Sequence, residues 1–435
     1  MRSLRSFPLW VCCVTLSMLE MSVAQPAQAN VLYQFANGVD GGFPNSLAID
    51  GVGNLYGTAS DGGQSGVGTV FRMTRSGDSW SYEVLYSFQR ADGDGQHPVG
   101  PVVLDASGNL FGTTEKGGTF DQGTVFELSP SLGGQWTEQV LYSFGNQTED
   151  GAMPQSGVIP DPAGNLFGTT AGGGITSGSC PSAGCGAVFQ LTPSPEGGWA
   201  ETVLYRFQGG DDGENPRAGL VLDSRGALYG TTFAGGGSGC KEKPLAGCGT
   251  VFQLSSAQSG SWTESLLYAF HGKRDGAGPF GNLTLDTGGN LYGMTYGGGV
   301  YGLGGCDGNS GGCGIVFELS PSASGSWTGN LLHSFRGHQG GNKDGGQPRG
   351  WLVFDASARL YGTTTIGGAA DFGTVFRLTP SQSGKWTEER YAFPSLANGC
   401  FPTAGVVLDA AGNVYGTTSA GGADFGVVFE IIPPN

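Results

Sequence analysis

Charge is scarce in this sequence, and positive charge is scarcer than negative charge. Only 13% of the 435 residues are Asp, Glu, Lys or Arg, and 20 Lys and Arg stand against 36 Asp and Glu. The formal net charge is −16, and no basic patch interrupts the acidic balance. A polyanion would be repelled overall, so nucleic acid is excluded as an expected partner.

Long apolar runs are also missing after residue 30, so no membrane span is expected. The apolar stretch 7–19 is too short to span a bilayer comfortably. It follows Arg2 and Arg5 and precedes Ala27-Gln28-Ala29, which fits a small-x-small cleavage site. We therefore predict a signal peptide at 1–29 and a single mature domain at 30–435. The mature protein is expected to be an exported monomer, extracellular or periplasmic.

Recognisable catalytic motifs are absent as well. The sequence contains no nucleophile elbow, no phosphate-binding loop and no metal-binding helix motif. The pattern thus favours a protein without catalytic activity.

Glycine is what the sequence has in abundance, with 84 residues punctuating short apolar runs, which is typical of an all-β protein. An anchor, Leu-Tyr/Phe-Gly-Thr-Thr with small variations, recurs at intervals of 54 to 69 residues. Such a period indicates a repeat architecture. The seven anchors begin at Leu55, Leu110, Leu166, Leu228, Leu291, Leu360 and Val414.

Each repeat is predicted to contain four strands, as in a propeller blade. In the second repeat these are 102–105, the anchor at 110–114, 123–128 and 136–144. The seventh repeat lacks its fourth strand, and Val31-Leu-Tyr-Gln-Phe35 is a copy of that strand's end. We predict a seven-bladed β-propeller whose ring is closed when 31–35 completes blade seven, which removes two exposed sheet edges. The alternative is an open β-solenoid, but solenoid repeats are usually shorter.

A motif, Asp-Gly-x-x-Pro, connects successive blades. The first interpretation is structural, because Asp accepts local backbone bonds and Pro begins the next strand. The alternative is a ring of carboxylates that binds Ca²⁺ or a cationic ligand. Repetition in every blade favours structure, so no cofactor or metal is expected. The copies are 40–44, 94–98, 150–154, 212–216, 275–279 and 344–348, and 398–402 is a variant.

The loops between the second and third strands are expanded in repeats three to five, and each contains two cysteines. In an exported protein such pairs predict local disulfides. Zinc is the alternative, but the spacings differ and no His pairs accompany them. The predicted pairs are Cys180–Cys185, Cys240–Cys248 and Cys306–Cys313, with Cys400 left over.

These loops lie on the same face of the propeller as the blade links, and the predicted disulfides would stiffen them. We therefore expect a ligand on that face. Trp351 begins an inner strand where other blades have smaller residues, so it could reach the central opening and stack on a sugar. The Trp residues of the fourth strands, and His333 in place of a strand Tyr, are interpreted as packing. The other candidate ligand-binding residues are Lys273, Asp275, Lys343 and Asp344, and the candidate acid–base residues are His271, His338, Arg274 and Tyr301.

The leading hypothesis is a non-catalytic module that binds a glycan or a protein on the face of blades three to five. One alternative is a polysaccharide-degrading enzyme, a lyase or hydrolase, that uses the same face. Another is a structural surface protein. No nucleophile–base–orienter set can be identified from the spacing of the candidates, which favours binding over catalysis.

The complete repeat also resembles a known family. The series Leu-Tyr-Ser-Phe, Asp-Gly-x-x-Pro, Gly-Asn-Leu-Tyr-Gly-Thr-Thr and Gly-Thr-Val-Phe-x-Leu is similar to the GloVer tandem repeat of exported bacterial proteins. The resemblance covers 31–432. It implies a secreted or surface-displayed repeat protein and brings no catalytic assignment.

Overall fold

Seven antiparallel β-sheets form the protein, and each sheet corresponds to one repeat of the sequence. The computed structural model describes residues 29–237, 240, 247–257, 260–300, 306, 312–337 and 344–433. Successive sheets pack against one another through separate apolar clusters. The predicted seven-bladed propeller is confirmed. No helix in the described ranges is long and apolar enough to cross a membrane.

The strands of each blade follow the chain from the central axis outwards. Blades one to three contain Gly42–Ile49, Leu55–Asp61, Thr69–Ser76 and Ser79–Ser87; Gly95–Leu104, Leu110–Gly117, Thr124–Pro130 and Trp136–Ser143; Ile159–Pro160, Leu166–Thr170, Ala187–Pro193 and Trp199–Arg206. Blades four to six contain Val221–Leu222, Leu228–Thr232, Thr250–Ser256 and Trp262–Ala269; Thr284–Leu285, Leu291–Gly297, Ile315–Pro321 and Trp327–Ser334; Val353–Phe354, Leu360–Thr364, Thr374–Pro380 and Trp386–Ala392. Blade seven contains Val407–Leu408, Val414–Thr418, Val427–Ile431 and Ala29–Gln34.

A few short elements lie in the links and loops. Ala277–Pro279 adds to the sheet of blade five, and Gly151–Ala152 pairs with Gly172–Gly173. Among the described residues, 3₁₀ turns occur at Lys273–Asp275 and Leu396–Asn398. These additions lie where one blade leads to the next, so they leave the four-stranded plan unchanged.

The ring is closed by the N-terminal strand, as predicted. Ala29–Gln34 pairs antiparallel with Val427–Ile431 and becomes the outermost strand of blade seven. The strand begins two residues earlier than the predicted 31–35, and Phe35 follows it as a fully buried side chain. The predicted signal peptide lies outside the described residues except for Ala29, so it remains a prediction.

The glycine of the anchor makes room for an aromatic ring of the neighbouring strand. A Cβ at Gly112 would lie 2.5 Å from Cζ of Phe126, so any larger residue would displace that ring. Phe126 in turn meets Phe88 of the preceding blade edge to face, with centroids 5.2 Å apart. Equivalent Phe pairs join all seven blades at 5.0–5.4 Å, including the closing pair. Because every blade makes this contact, every repeat has the glycine of the anchor.

The first threonine of the anchor connects neighbouring blades at the axis. The Thr169 hydroxyl donates to the carbonyl of Ala218 at 2.7 Å, and that of Thr113 donates to Ser156 at 2.8 Å. The Thr417 hydroxyl donates to Asn45 across the ring closure. Such bonds satisfy buried hydroxyls and fasten the second strands of blades one, two, three, six and seven to the inner strand of the next blade.

The blade links follow the structural interpretation of Asp-Gly-x-x-Pro. In the link between blades one and two, Asp94 accepts the backbone N–H of Gln89 at 2.6 Å and the hydroxyl of Tyr86 at 3.1 Å. His97, the residue before the proline, has a φ of 53°. Its N–H donates to the carbonyl of Val67 in the preceding blade at 2.8 Å. Hydrogen bonds near both ends of the link therefore fix its conformation.

All three predicted disulfides are present: Cys180–Cys185, Cys240–Cys248 and Cys306–Cys313. Cys400 is a buried free thiol, and burial raises its pKa. The Trp residues of the outer strands serve packing, as predicted: Trp199 contacts Phe111, and Trp262 contacts Phe167, edge to face.

Candidate ligand site at the central mouth

A cavity of about 280 Å³ lies on the propeller axis, lined by residues from all seven blades. Its rim is the residue that follows the proline of each blade link. The link fixes the backbone at this point, so the side chain is free to differ from blade to blade. We call these seven residues the mouth ring: Asn45, Val99, Gln155, Arg217, Phe280, Arg349 and Thr403.

Hydrogen bonds between blades form part of the cavity lining. The Oδ1 atom of Asn282 accepts the Gly219 N–H at 2.7 Å and the Ser156 hydroxyl at 3.3 Å. Asn282 and Ser156 both line the cavity, so these bonds join blades three, four and five at the mouth.

Trp351 lies in the lining of the mouth, where the sequence placed it. Its half-buried ring packs against Gly405 of the next blade so closely that a Cβ at Gly405 would overlap it. Only glycine allows this approach, and the contact fixes the position of the indole. Its role in ligand binding remains a prediction.

Two arginines of the mouth ring are interleaved with three aromatic rings. The Cζ atom of Arg217 lies 4.2 Å from the centroid of Phe233 and 5.4 Å from that of Phe280. The Cζ atom of Arg349 lies 5.5 Å from the centroid of Phe280 and 5.1 Å from that of Tyr296. These distances are within the range of cation–π attraction, which holds both guanidinium groups without neutralising them. We call these five residues the arginine–aromatic cluster.

The charge of this cluster is only partly compensated. Among the described residues, neither Arg217 nor Arg349 has a carboxylate within 4.0 Å. Nε of Arg217 donates to Oδ1 of Asn215 at 2.6 Å, whereas Nε of Arg349 is buried without a hydrogen-bond partner. Burial lowers the pKa of Arg217, and the charge of Arg349 lowers it further against the opposing effect of Glu115. An anion in the mouth would relieve this repulsion.

Each disulfide lies next to a blade link that carries a residue of the arginine–aromatic cluster. The carbonyl of Cys185 accepts the N–H of Asn215, two residues before Arg217, at 2.8 Å. The carbonyls of Cys248 and Cys313 accept the N–H groups of Gly278 and Gln347 in the same way. Those two residues precede Phe280 and Arg349 by two positions. Each disulfide thus braces one ring position of the arginine–aromatic cluster.

The remaining predicted site residues do not gather at the mouth. His271, Lys273, Arg274 and Asp275 lie at the junction of blades four and five, where Nδ1 of His271 is 3.1 Å from Oδ2 of Asp275. Arg274 and Asp275 line a separate cavity of about 180 Å³. Asp344 lies at the next junction, near His333. Tyr301, His338 and Lys343 lie outside the described residues.

Sequence reasoning missed Arg217 and Arg349. Their signal is positional: both follow the proline of a blade link, at a point where the other repeats have uncharged residues. A comparison of the seven repeats at that position would have singled out both arginines as unusual, but not the aromatic rings that flank them.

The fold and the axial cavity define a seven-bladed propeller with a candidate binding site at its centre. The chain belongs to the family described as the Gloeobacter/Verrucomicrobia repeat, whose model matches residues 20–180, 174–306 and 306–435. The resemblance inferred from the repeat is thereby confirmed. No curated protein matches the chain significantly.

Several solved structures share the fold at low sequence identity. One is a polysaccharide lyase, an ulvan lyase bound to a glucuronic acid–rhamnose 3-sulfate repeat, at 11% identity and a TM-score of 0.52, with 90% of this chain and 93% of that chain covered. Another is a putative oxidoreductase (glucose dehydrogenase) from Thermus thermophilus, at 16% identity and a TM-score of 0.43, with 84% and 99% covered. A gluconolactonase from Xanthomonas campestris matches at 14% identity and a TM-score of 0.39, with 77% and 85% covered.

Proposed function

We propose that this protein is an exported binding module whose central mouth holds an anionic sugar unit of a glycan. The observation that carries the proposal is the pair of guanidinium groups, Arg217 and Arg349, exposed to the mouth without carboxylate partners. Guanidinium groups recognise carboxylate and sulfate by paired hydrogen bonds. Three disulfides fit an oxidising, extracytoplasmic compartment.

The size and lining of the mouth favour a sugar over a folded protein surface. A cavity of about 280 Å³ admits a small ligand group. Trp351 offers an apolar ring beside the arginines, and Asn45, Gln155 and Thr403 offer amide and hydroxyl groups for sugar hydroxyls. The ulvan lyase that shares this fold is bound to a glycan with carboxylate and sulfate groups, which is the same chemical class of ligand.

Binding is favoured over catalysis by the lining of the mouth. Among the described residues of the lining, Glu115 is the one carboxylate, and no histidine or tyrosine accompanies it. Proton abstraction from a sugar needs a base that is itself positioned by a second group. A glycan lyase or hydrolase therefore remains the second candidate, and it needs its own test.

The test is isothermal calorimetry of the protein 30–435 with uronic acid and sulfated oligosaccharides and with neutral oligosaccharides of the same length. We expect saturable heat with the anionic set only. Arg217→Gln and Arg349→Gln should each weaken binding by about 10- to 100-fold, because a hydrogen bond to a charged group contributes roughly 1.5–3 kcal/mol. Arg225→Gln is the matched control, since Arg225 lies on an exposed turn and pairs with Asp223.

The outcomes separate the hypotheses. If heat release continued at a constant rate and new reducing ends or unsaturated sugars appeared, the protein would be turning over the oligosaccharide. That result would favour the enzyme hypothesis. Equal affinity of the Arg217→Gln, Arg349→Gln and Arg225→Gln variants would move the site away from the mouth. No heat with any oligosaccharide would overturn the glycan proposal and leave a protein partner or a structural role.

A further inference from the structure

One blade junction replaces a residue that the other six share. The residue two positions before the final phenylalanine of the outer segment is tyrosine in six repeats and histidine, His333, in blade five. The junction after blade six keeps the tyrosine, Tyr391, but has Asn398 in place of the link aspartate, so five junctions follow the regular pattern. In the regular junctions the tyrosine hydroxyl donates to the link aspartate, as Tyr142 does to Asp150 at 2.9 Å and Tyr205 to Asp212 at 3.0 Å. Blade five replaces a hydrogen-bonding hydroxyl with an imidazole.

The imidazole faces two carboxylates. Nε2 of His333 lies 3.6 Å from Oδ2 of Asp344, which belongs to the link into blade six. Glu388, from the outer strand of blade six, completes a group whose three ligand atoms lie within 4.8 Å of one another. The side chains of Asp344 and Glu388 are 2% and 10% exposed. The cluster is thus assembled from three separate segments and is almost closed to solvent.

The hydrogen bonding of this cluster is incomplete. Nε2 of His333 and Oε1 of Glu388 are both buried without a hydrogen-bond partner. Burial raises the pKa of Glu388, and the carboxylate of Asp344 raises it further against the opposing effect of His333. Arg390 approaches Oε2 of Glu388 at 3.5 Å and leaves Oε1 unoccupied. Buried polar groups are normally satisfied, so this arrangement calls for another ligand.

We propose that His333, Asp344 and Glu388 bind a divalent transition metal ion, with zinc the best match. One imidazole nitrogen and two carboxylate oxygens are ligands that zinc accepts, with solvent in a fourth position. Calcium prefers oxygen ligands alone, so the histidine argues against it. Zinc ligand atoms lie at about 2.0–2.2 Å from the ion, so binding would draw the three ligand atoms of this group closer together.

The ion would hold three segments together at this blade junction. It would join the outer strand of blade five, the link into blade six and the outer strand of blade six. Arg349 follows Asp344 by five residues in the same link. Metal binding would therefore restrict the link that carries one arginine of the arginine–aromatic cluster. The proposal departs from the expectations that the protein contains no metal and that His333 serves packing alone.

The experiment is calorimetric titration of Zn²⁺ into chelator-treated protein 30–435, followed by native mass spectrometry. We expect one ion per chain. His333→Tyr restores the residue of the other six repeats, so it should fold, and it should bind zinc at least ten-fold more weakly. Glu388→Gln removes a second ligand charge without changing shape and should also weaken binding. His271→Tyr is the matched control, because His271 is 77% exposed and pairs with a link aspartate outside the cluster.

Each outcome decides the proposal. One zinc ion bound by wild type and His271→Tyr, and lost in His333→Tyr, supports the site, and Co²⁺ absorption bands in the wild type would identify nitrogen and oxygen ligands. Equal affinity of wild type and His333→Tyr would assign the ion to surface carboxylates and overturn the site. No binding of Zn²⁺, Co²⁺ or Mn²⁺ would also overturn it.

Discussion

Two equivalent threonines of the anchor differ in one respect that has an energetic consequence. Thr169 and Thr231 are both 1% exposed and occupy the same position in successive blades. The hydroxyl of Thr169 donates to Ala218, whereas Oγ1 of Thr231 has no hydrogen-bond partner. A buried polar atom without a partner lowers the stability of the folded state.

We expect opposite effects from the same substitution at these two sites. Thr169→Val should reduce the free energy of unfolding by about 1–2 kcal/mol, because it removes a hydrogen bond and leaves the Ala218 carbonyl without that donor. Thr231→Val keeps the shape and removes an unsatisfied hydroxyl, so it should be neutral or stabilising by up to about 1 kcal/mol. Chemical denaturation of both variants measures the difference. Equal losses would show that a water or a shifted rotamer satisfies Thr231.

At the scale of the element, the closing strand differs from every other outer strand because it comes from the opposite end of the chain. Phe35, which directly follows it, meets Phe71 at 5.4 Å, much as Phe207 meets Phe252 at 5.1 Å within the continuous part of the chain. Both Phe35 and Phe207 are fully buried. The two contacts should therefore contribute similar stability.

The prediction is that Phe35→Ala and Phe207→Ala each cost about 3–5 kcal/mol, the usual range for removing a buried Phe side chain. Thermal and denaturant unfolding of the two variants should show single transitions displaced by similar amounts. A Phe35→Ala variant as stable as wild type would mean that 29–34 does not dock in solution. Deletion of residues 30–36 should then also leave the melting temperature unchanged, whereas a docked strand predicts a large cooperative loss.

Elements were predictable from the sequence to the extent that they repeat. The second, third and fourth strands of blade two were placed within a few residues, since the anchor and the apolar segment recur seven times. The inner strands were less predictable: that of blade two begins at Gly95, seven residues before the predicted 102. In blade four only Val221–Leu222 pairs regularly, because the residues before it bond to neighbouring blades, Ala218 to Thr169 and Gly219 to Asn282. Residues that recur in every repeat can be recognised as part of the scaffold. A residue that differs in only one or two repeats is harder to recognise as part of a site.

The candidate site was predicted only in part for that reason. Trp351 could be placed at the mouth because it is large where other repeats are small. Arg217 and Arg349 could not, since their significance comes from the two aromatic rings that flank each guanidinium and from the absence of a carboxylate partner. His271 and Trp351 share a face in the sequence argument but line different parts of it, because a propeller face is wide and its links approach the axis only at their ends.

At the scale of the whole molecule, four junctions contain a half-buried glutamate at the same position of the outer strand: Glu138, Glu201, Glu264 and Glu388. Burial, together with the charge of the link aspartate, raises the pKa values of Glu138, Glu201 and Glu264 to about 7. Because the folded-state pKa lies above the unfolded value, the folded state binds these protons more tightly. Their contribution to stability is complete below about pH 4.5 and is lost as the pH rises through 7.

We therefore expect the melting temperature to fall by several degrees between pH 5 and pH 8. Aspartates of the β-turns, such as Asp223 and Asp286, have lowered pKa values and lose their contribution only below about pH 4, outside this window. The triple variant Glu138→Gln, Glu201→Gln, Glu264→Gln should flatten the profile. Glu196→Gln, at an exposed loop position, is the control. A triple variant with the wild-type slope would show that other groups set the pH dependence.

The closed ring also has a consequence for the order in which the protein is made. Ala29 faces Ile431, so the strand at 29–34 must wait for a partner strand about 400 residues later in the chain. Blades one to six can form in sequence as the chain emerges, but blade seven forms only after residue 431 has been made. Until then the strands at 29–34 and in blade one present unpaired edges, which are sites of aggregation. Ring closure is therefore a non-local step, and it should be the slowest part of folding.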